Sequence, residues 1–128
     1  YVPLNPLAEE PGPTHESAAN FALAVGQLLE REHPRRVTTT MAKAERPGKV
    51  LVDWSQNARH KTTIGVYSTR ARPEPTVSTP LVWEEVEEAA AGRAPLTFDW
   101  RAVLARVAEH GDLFAETLTR HQALPAPR

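Results

Sequence analysis

The stretch "GKVLVDWSQNARHKTT", residues 48–63, carries the strongest strand prediction in the chain and places one carboxylate, Asp53, near the strand's end. Alternation along residues 49–54 predicts that Val50 and Val52 face one side of the strand and that Asp53 faces the other. A carboxylate kept in apolar surroundings needs a partner, which is either a cation that pairs with it or a metal ion that it binds.

The charge around this stretch is strongly segregated, although the whole chain has a net charge of −1. Between positions 33 and 73 only two residues are acidic, Asp53 and Glu45, whereas nine are basic: Arg35, Arg36, Lys43, Arg46, Lys49, Arg59, Lys61, Arg70 and Arg72. Residues 74–92 contain five glutamates and no basic residue. The basic segment favours a phosphate-rich partner. A solvated face balanced by the acidic segment fits equally well.

Two interpretations of Asp53 therefore stay open from the residues alone. It could form a structural ion pair with an arginine, or it could bind a metal ion beside a triphosphate-binding surface. A metal-dependent transfer reaction needs several carboxylates. One aspartate is too few, so the others would have to come from outside this chain.

Composition narrows the class of protein. The chain has 128 residues, which suits one domain with a modest core. It contains no cysteine, which excludes a disulfide scaffold and thiolate metal sites. No apolar run approaches the roughly 20 residues of a membrane span, and no signal peptide is recognisable, so we expect no membrane partner and a cytoplasmic location.

Helical periodicity predicts two long amphipathic helices and one short acidic one. The first follows Thr14 as N-cap and ends near residues 33–34, with Phe21 and the leucines of its apolar stripe in the core. The acidic helix spans residues 83–91. The last helix begins near residue 100 after a Thr97 or Asp99 cap and ends at Gly111. We expect the tryptophans that open these two helices, Trp83 and Trp100, to pack in the core.

Extended structure is predicted at residues 37–41, 49–54, 62–67 and 76–81. The second and third of these would form a hairpin with a long connection. In such a hairpin Arg70 and Arg72 could face Asp53. The predicted fold class is α+β, an antiparallel sheet with packed helices.

One ordered set of motifs goes beyond these general patterns. A hydrophobic strand ends in Asp-aromatic-x-x-Asn, and Lys-Thr, Tyr-Ser-x-Arg-Ala-Arg and Thr-Pro-Leu-x-Trp-Glu-Glu follow along the chain. This order, in "TTTMAKAERPGKVLVDWSQNARHKTTIGVYSTRARPEPTVSTPLVWEEVE", closely resembles the polymerase domain of bacterial ligase D, of the archaeo-eukaryotic primase superfamily. The resemblance runs from "YVPL" to "HGDLF".

The resemblance implies roles for individual residues. It implies that Asp53 is the third of three metal-binding carboxylates and that Arg46 is an active-site residue. Gln56 and Arg70 would lie beside the incoming nucleotide, and Lys61 would belong to the same basic surface. We expect Arg35, Arg36 and Lys43 to contact DNA phosphates. His60 departs from the family pattern, which usually has a small residue before Lys-Thr.

The resemblance also implies an activity, namely nucleotidyl transfer to a DNA 3′ end during non-homologous end joining. It implies Mn²⁺ or Mg²⁺, nucleoside triphosphates, DNA ends with a 5′-phosphate, Ku and a ligase domain as cofactors, substrates and partners. The family's Asp-x-Asp and Gly-x-His segments would precede "YVPL". We therefore expect residues 1–118 to be the C-terminal portion of such a polymerase domain, inactive alone, and residues 119–128 to be a flexible tail. The alternative is a non-catalytic remnant that binds nucleic acid or protein.

Overall fold

The computed structural model describes residues 2–5, 12–120 and 122–125. The predicted tail at 119–128 therefore lies partly outside the described residues. The chain divides into two compact units, one formed by Tyr1–Thr62 with Thr117–Arg128 and the other by Thr63–Glu116. Each unit is described by itself below.

The first unit is built on a long helix, α1, which spans His15–Glu32. Thr14 is its N-cap, as predicted, because the Thr14 hydroxyl accepts a hydrogen bond of 3.1 Å from the Ser17 amide. The Ser17 hydroxyl lies 2.8 Å from the Thr14 amide and accepts from it, which completes a reciprocal capping box. The helix ends with His33 as C-cap, so the predicted boundaries are confirmed.

Two short strands pack beside α1. Strand β1 is Val37–Thr38 and β2 is Val50–Leu51, and they pair in parallel with Val37 opposite Val50. A 3₁₀ helix, Lys43–Glu45, lies in the connection between them. A second 3₁₀ helix, Trp54–Asn57, follows β2 and packs against α1.

Helix α1 and the strands approach closely at Gly26. A Cβ atom built on Gly26 would lie 2.8 Å from Cγ2 of Thr39 and 3.0 Å from Cγ1 of Val52. These separations are too short for a side chain, so glycine allows the helix to sit directly on the segment that leads into Asp53.

The second unit contains an antiparallel pair of strands, β3 at Thr69–Arg70 and β4 at Thr76–Val77. Three helices follow: α2 at Trp83–Ala90, α3 at Trp100–His110, and α4 at Glu116–Thr119, which crosses the boundary between the units. Asp99 caps α3 by accepting a hydrogen bond of 2.8 Å from the Ala102 amide. Gly111 ends α3 with a φ of 72°, so the predicted limits of this helix are confirmed.

The predicted hairpin between residues 49–54 and 62–67 is wrong. The first strand pairs with β1 instead, and the 3₁₀ helix after Asp53 turns the chain away from an extended course. Residues 62–67 form no strand, and Tyr67 has a φ of 61°, which interrupts any extended backbone there. The antiparallel strand pair lies later in the chain and is formed by β3 with β4.

Several predicted core positions are also wrong. Trp83 is 79% exposed and Trp100 is 53% exposed, and leucines of the α1 stripe, Leu28 and Leu29, are exposed as well. Periodicity identifies the apolar face of an element, but it does not show whether another element covers that face.

The fold class, α+β, is confirmed by these helices and small sheets together. Within the described residues, no helix is long and apolar enough to cross a membrane.

Candidate active site

The candidate site centres on Asp53, which lies between the end of β2 and the 3₁₀ helix Trp54–Asn57. Its carboxylate accepts two hydrogen bonds from side chains of that helix. The Ser55 hydroxyl donates to Oδ1 at 2.7 Å, and Nε2 of Gln56 donates to Oδ2 at 3.2 Å. Each carboxylate oxygen therefore has a neutral donor, and the turn itself fixes the direction of the carboxylate.

The electrostatics of the site favour the ionised form of Asp53. The hydrogen bond from Ser55 is the largest cause that lowers the pKa of this carboxyl below its ordinary value, and Gln56 acts in the same direction. The positive charges of Lys61 and Arg46 lower the pKa further, against an opposing effect of burial. The carboxylate is thus charged at neutral pH and available to a cation.

Arg46 is held close to this site by an unusual set of contacts. Its Nη2 donates a hydrogen bond to the carbonyl of Met41. Its Nε is buried and has no hydrogen-bond partner among the described residues. A buried guanidinium N–H without a partner is costly.

One interpretation of Asp53 is a structural ion pair with an arginine. In the part of the chain that the structure describes, no lysine or arginine forms a salt bridge with its carboxylate. The cations act on Asp53 through their field rather than by contact. The second unit contains two such ion pairs among others, one between Arg106 and Glu85 and one between Arg93 and Glu88.

The described residues supply only part of a metal site. An ionised carboxylate oxygen is the kind of ligand that Mg²⁺ and Mn²⁺ prefer. However, no group of three histidine, cysteine, aspartate or glutamate side chains suitable for a metal occurs among residues 2–5, 12–120 and 122–125. Asp53 thus fits as one ligand of such an ion.

The structure brings together some of the predicted site residues. Gln56 contacts Asp53 directly, while Arg46 and Lys61 lie near enough to influence its charge.

The other predicted site residues are exposed. Arg35, Arg36 and Lys43 lie in the first unit and are accessible, as a phosphate-binding role requires. Arg70 is exposed on β3 in the second unit, and its convergence with Asp53 stays a prediction. His60 is exposed and makes no hydrogen bond among the described residues.

Sequence reasoning missed two residues that shape the site. Ser55 was not assigned a role, although a hydroxyl two residues after an aspartate is well placed to hydrogen-bond it. Asn57 was recognised only as a motif position, yet it is a buried polar residue at the end of the same turn. The short polar run Ser-Gln-Asn after Asp53 was the available signal for both.

Comparison with known proteins identifies the family of this chain. The family model described as "LigD, primase-polymerase domain" matches residues 1–114. Curated relatives include the multifunctional non-homologous end joining DNA repair protein LigD of Mycobacterium tuberculosis, 41% identical over 97% of this chain and 16% of the relative. LigD of Mycolicibacterium smegmatis is 44% identical over 90% of this chain and 14% of its own length.

A solved structure is similar as well. The polymerase domain of Mycobacterium tuberculosis ligase D in complex with DNA matches with a TM-score of 0.77 and 40% identity, covering 87% of this chain and 37% of that chain. The fold thus defines a portion of a primase-polymerase domain. The chain belongs to the LigD primase-polymerase domain family. It spans about one sixth of the length of the curated mycobacterial relatives that it matches.

Proposed function

We propose that this chain is part of a DNA-repair nucleotidyltransferase that adds nucleotides to DNA 3′ ends during non-homologous end joining. The observation that carries the proposal is the geometry at Asp53. A charged carboxylate is held by Ser55 and Gln56 within the field of two cations, in a chain of the LigD primase-polymerase family.

Asp53 would contribute one ligand to a bound Mn²⁺ or Mg²⁺. When bound, such an ion would supply positive charge to activate the attacking hydroxyl and to offset the charge of the departing pyrophosphate. Gln56 would orient the carboxylate and contact the incoming nucleotide. Lys61 would lower the electrostatic cost of bringing a triphosphate to this surface.

Two arginines are proposed to bind phosphate groups. Arg46 would place the positive charge of its guanidinium near a phosphate of the primer or nucleotide. Arg70 would bind the triphosphate of the nucleotide. Its exposed position on β3 leaves the guanidinium open to such a ligand.

The DNA surface would be the basic segment that includes Arg35, Arg36 and Lys43. The related mycobacterial polymerase domain was solved in complex with DNA, which supports DNA as a partner here. We propose DNA ends that carry a 5′-phosphate, together with ribonucleoside or deoxyribonucleoside triphosphates, as substrates. Ku and a ligase domain would be protein partners in the same repair reaction.

One observation favours a second candidate function, a non-catalytic remnant that binds nucleic acid or protein. It is the lack of any three-residue metal-binding group among the described residues. Such a remnant would keep the basic surface and its DNA affinity but would not transfer nucleotides.

Primer extension by the full-length protein separates the two candidates. The substrate is a gapped duplex with a downstream 5′-phosphate, supplied with nucleoside triphosphates and Mn²⁺. We expect the primer to be extended, extension to stop when a chelator is added, and the isolated 128-residue chain to show none. DNA binding without extension by the full-length protein would favour the remnant.

A further inference from the structure

Asn57 is the most deeply buried polar residue near the candidate site apart from Thr38, with 3% of its surface exposed. Both ends of its side-chain amide are hydrogen-bonded. Nδ2 donates to the Trp54 carbonyl at 3.0 Å, and Oδ1 accepts from the Val2 amide at 2.8 Å. Neither group could lose its partner cheaply, because a buried polar group left unpaired is costly.

These contacts connect three segments of the first unit. The bond to Trp54 lies within the 3₁₀ helix, and the bond from Val2 ties that helix to the extended N-terminal segment. The backbone carbonyl of Asn57 also lies 3.2 Å from Nδ1 of His15, in the first turn of α1. One residue thus anchors the turn to two other segments.

The anchored turn is the one that holds the Asp53 carboxylate. Asp53 is the N-cap of the 3₁₀ helix, and the Gln56 amide donates to its carbonyl at 3.3 Å. The same turn positions the two side chains, Ser55 and Gln56, that hydrogen-bond its carboxylate. Isolated 3₁₀ turns have poor hydrogen-bond geometry, so this one depends on its tertiary anchors.

A second anchor acts at the other end of the turn. The indole Nε1 of Trp54 donates to the Thr39 carbonyl at 3.2 Å. That contact fixes the start of the 3₁₀ helix but not its end. Asn57 therefore supplies side-chain and backbone contacts at the other end of the turn, next to Ser55 and Gln56.

We infer that Asn57 is a positioning residue for the nucleotidyl transfer reaction, acting through the 3₁₀ turn on Asp53 and Gln56. The inference rests on the proposed function. Asn57 is buried and its amide is fully engaged, so it acts without contacting substrate. Its substitution should affect turnover and cation binding more than the affinity for DNA.

Two variants of the full-length protein separate hydrogen bonding from packing. Asn57→Leu keeps the branched shape and the number of side-chain heavy atoms but removes both hydrogen bonds. Asn57→Ser leaves a small void but keeps a hydroxyl that can serve one of the two partners. Val103→Ala is the matched control, because Val103 is buried in the second unit and its truncation destabilises without touching the turn.

The measurements are kcat and KM for nucleotide addition, Mn²⁺ affinity by calorimetry, and hydrogen exchange of the Gln56 and Ala58 amides. We expect Asn57→Leu to lower kcat by about tenfold to a hundredfold, since small misplacements of reacting groups are costly. Its Mn²⁺ affinity should fall and both amides should exchange faster. Asn57→Ser should be intermediate, and Val103→Ala should lower only the melting temperature.

The outcomes are distinguishable. A wild-type protein that extends no primer would overturn the proposed function, and Mn²⁺ affinity with amide exchange would still decide the role of Asn57. A folded Asn57→Ser or Asn57→Leu variant with unchanged kcat, cation affinity and amide exchange would overturn the positioning role. If Asn57→Leu does not fold, Asn57→Ser supplies the same comparison.

Discussion

Nε2 of Gln56 donates a 3.2 Å hydrogen bond to Oδ2 of Asp53, so the side chain predicted to meet a nucleotide also holds the carboxylate predicted to bind a cation. The two residues are three positions apart, and the 3₁₀ helix between them brings their side chains together. The geometry of the candidate site therefore depends on one local turn and on the contacts that hold that turn in place.

The close approach of α1 to this site gives the first prediction. Gly26→Ala should destabilise the first unit and lower the rate of nucleotide addition, because the new Cβ would lie 2.8 Å from Thr39 and 3.0 Å from Val52. Thr39 cannot rotate away cheaply, since its hydroxyl is bonded to Glu30 at 2.7 Å. Overpacking of this kind costs about 1–3 kcal/mol, against a gain of about 1 kcal/mol in helix propensity.

Thermal melting and primer extension measure the two effects of Gly26→Ala. Ala24→Gly is the control, because Ala24 is exposed on the same helix and its replacement weakens α1 without crowding Val52. The control should melt earlier but keep its turnover. Equal turnover in both variants would mean that α1 does not set the position of Asp53.

The pair of Arg106 and Glu85 gives a prediction about pH. Nη2 of Arg106 donates to Oε2 of Glu85 at 2.9 Å, and this contact is the largest cause that lowers the pKa of Glu85 below its ordinary value of 4.5. A carboxyl group whose pKa is lowered by folding stabilises the folded state at pH values above its ordinary pKa. That stability is lost as the pH falls through the folded-state pKa.

Glu85→Gln should therefore destabilise α2 and α3 by about 1 kcal/mol at neutral pH and have little effect in acid. Hydrogen exchange of amides in these helices at both pH values measures the difference. Glu84→Gln, on the exposed side of the same helix, should change little at either pH. A destabilisation by Glu85→Gln that persists unchanged in acid would show that the charge of Glu85 is not its cause.

Much of the fold follows from local sequence signals. The caps at Thr14 and Asp99 and the glycine end of α3 were predictable, because each depends on a side chain or backbone conformation within a few residues. The strand pairing was not, because nothing local indicates that residues 50–51 pair in parallel with β1. The left-handed Tyr67 was equally unpredictable, since this conformation is rare for a tyrosine.

The candidate site also contains residues that the sequence predicts and residues that it does not. Motif order identified Asp53, Gln56, Arg46 and Lys61, and the structure gathers these four around one turn. The residues that support that turn were missed, because their contacts join segments that are distant in sequence. Asn57 is bonded to Val2, and Gly26 lies against Val52. Resemblance identifies residues with chemical roles more readily than residues that position them.

The basic segment of the first unit gives a prediction about salt. Arg35 and Arg36 are exposed in the turn between α1 and β1. If both contact DNA phosphates, replacing them with alanine should reduce the slope of log affinity against log salt by about two, because each phosphate contact contributes about 0.9. Fluorescence anisotropy with duplex DNA at several salt concentrations measures this slope.

The control for that measurement is a double alanine replacement of Arg93 and Arg101, which lie outside the basic segment and carry the same total charge. This variant should keep the wild-type slope. Equal slopes for the Arg35 and Arg36 double variant and the wild type would assign those arginines to a solvated surface.

Arg70 gives a prediction about substrate affinity. Arg70→Ala should raise KM for the nucleotide by roughly tenfold to a hundredfold, as expected for loss of a charged hydrogen bond worth about 1.5–3 kcal/mol. Turnover at saturating nucleotide and Mn²⁺ affinity should change less. Arg72→Ala is the matched control in steady-state extension assays. Arg72 is exposed and lies just after β3, between β3 and β4. Equal KM values in the two variants would contradict a specific role for Arg70.

The central claim is that Asp53 acts in catalysis and is not a structural residue. Asp53→Asn keeps the size of the side chain and one carbonyl oxygen, but it loses the charge that would bind a divalent cation. Primer extension with Mn²⁺ by the full-length protein, together with a thermal melt and a DNA-binding titration, tests the claim most directly. The account predicts that Asp53→Asn abolishes nucleotide addition while the melting temperature and DNA affinity stay close to those of the wild type. Near-normal extension by Asp53→Asn, with or without a lower melting temperature, would contradict it.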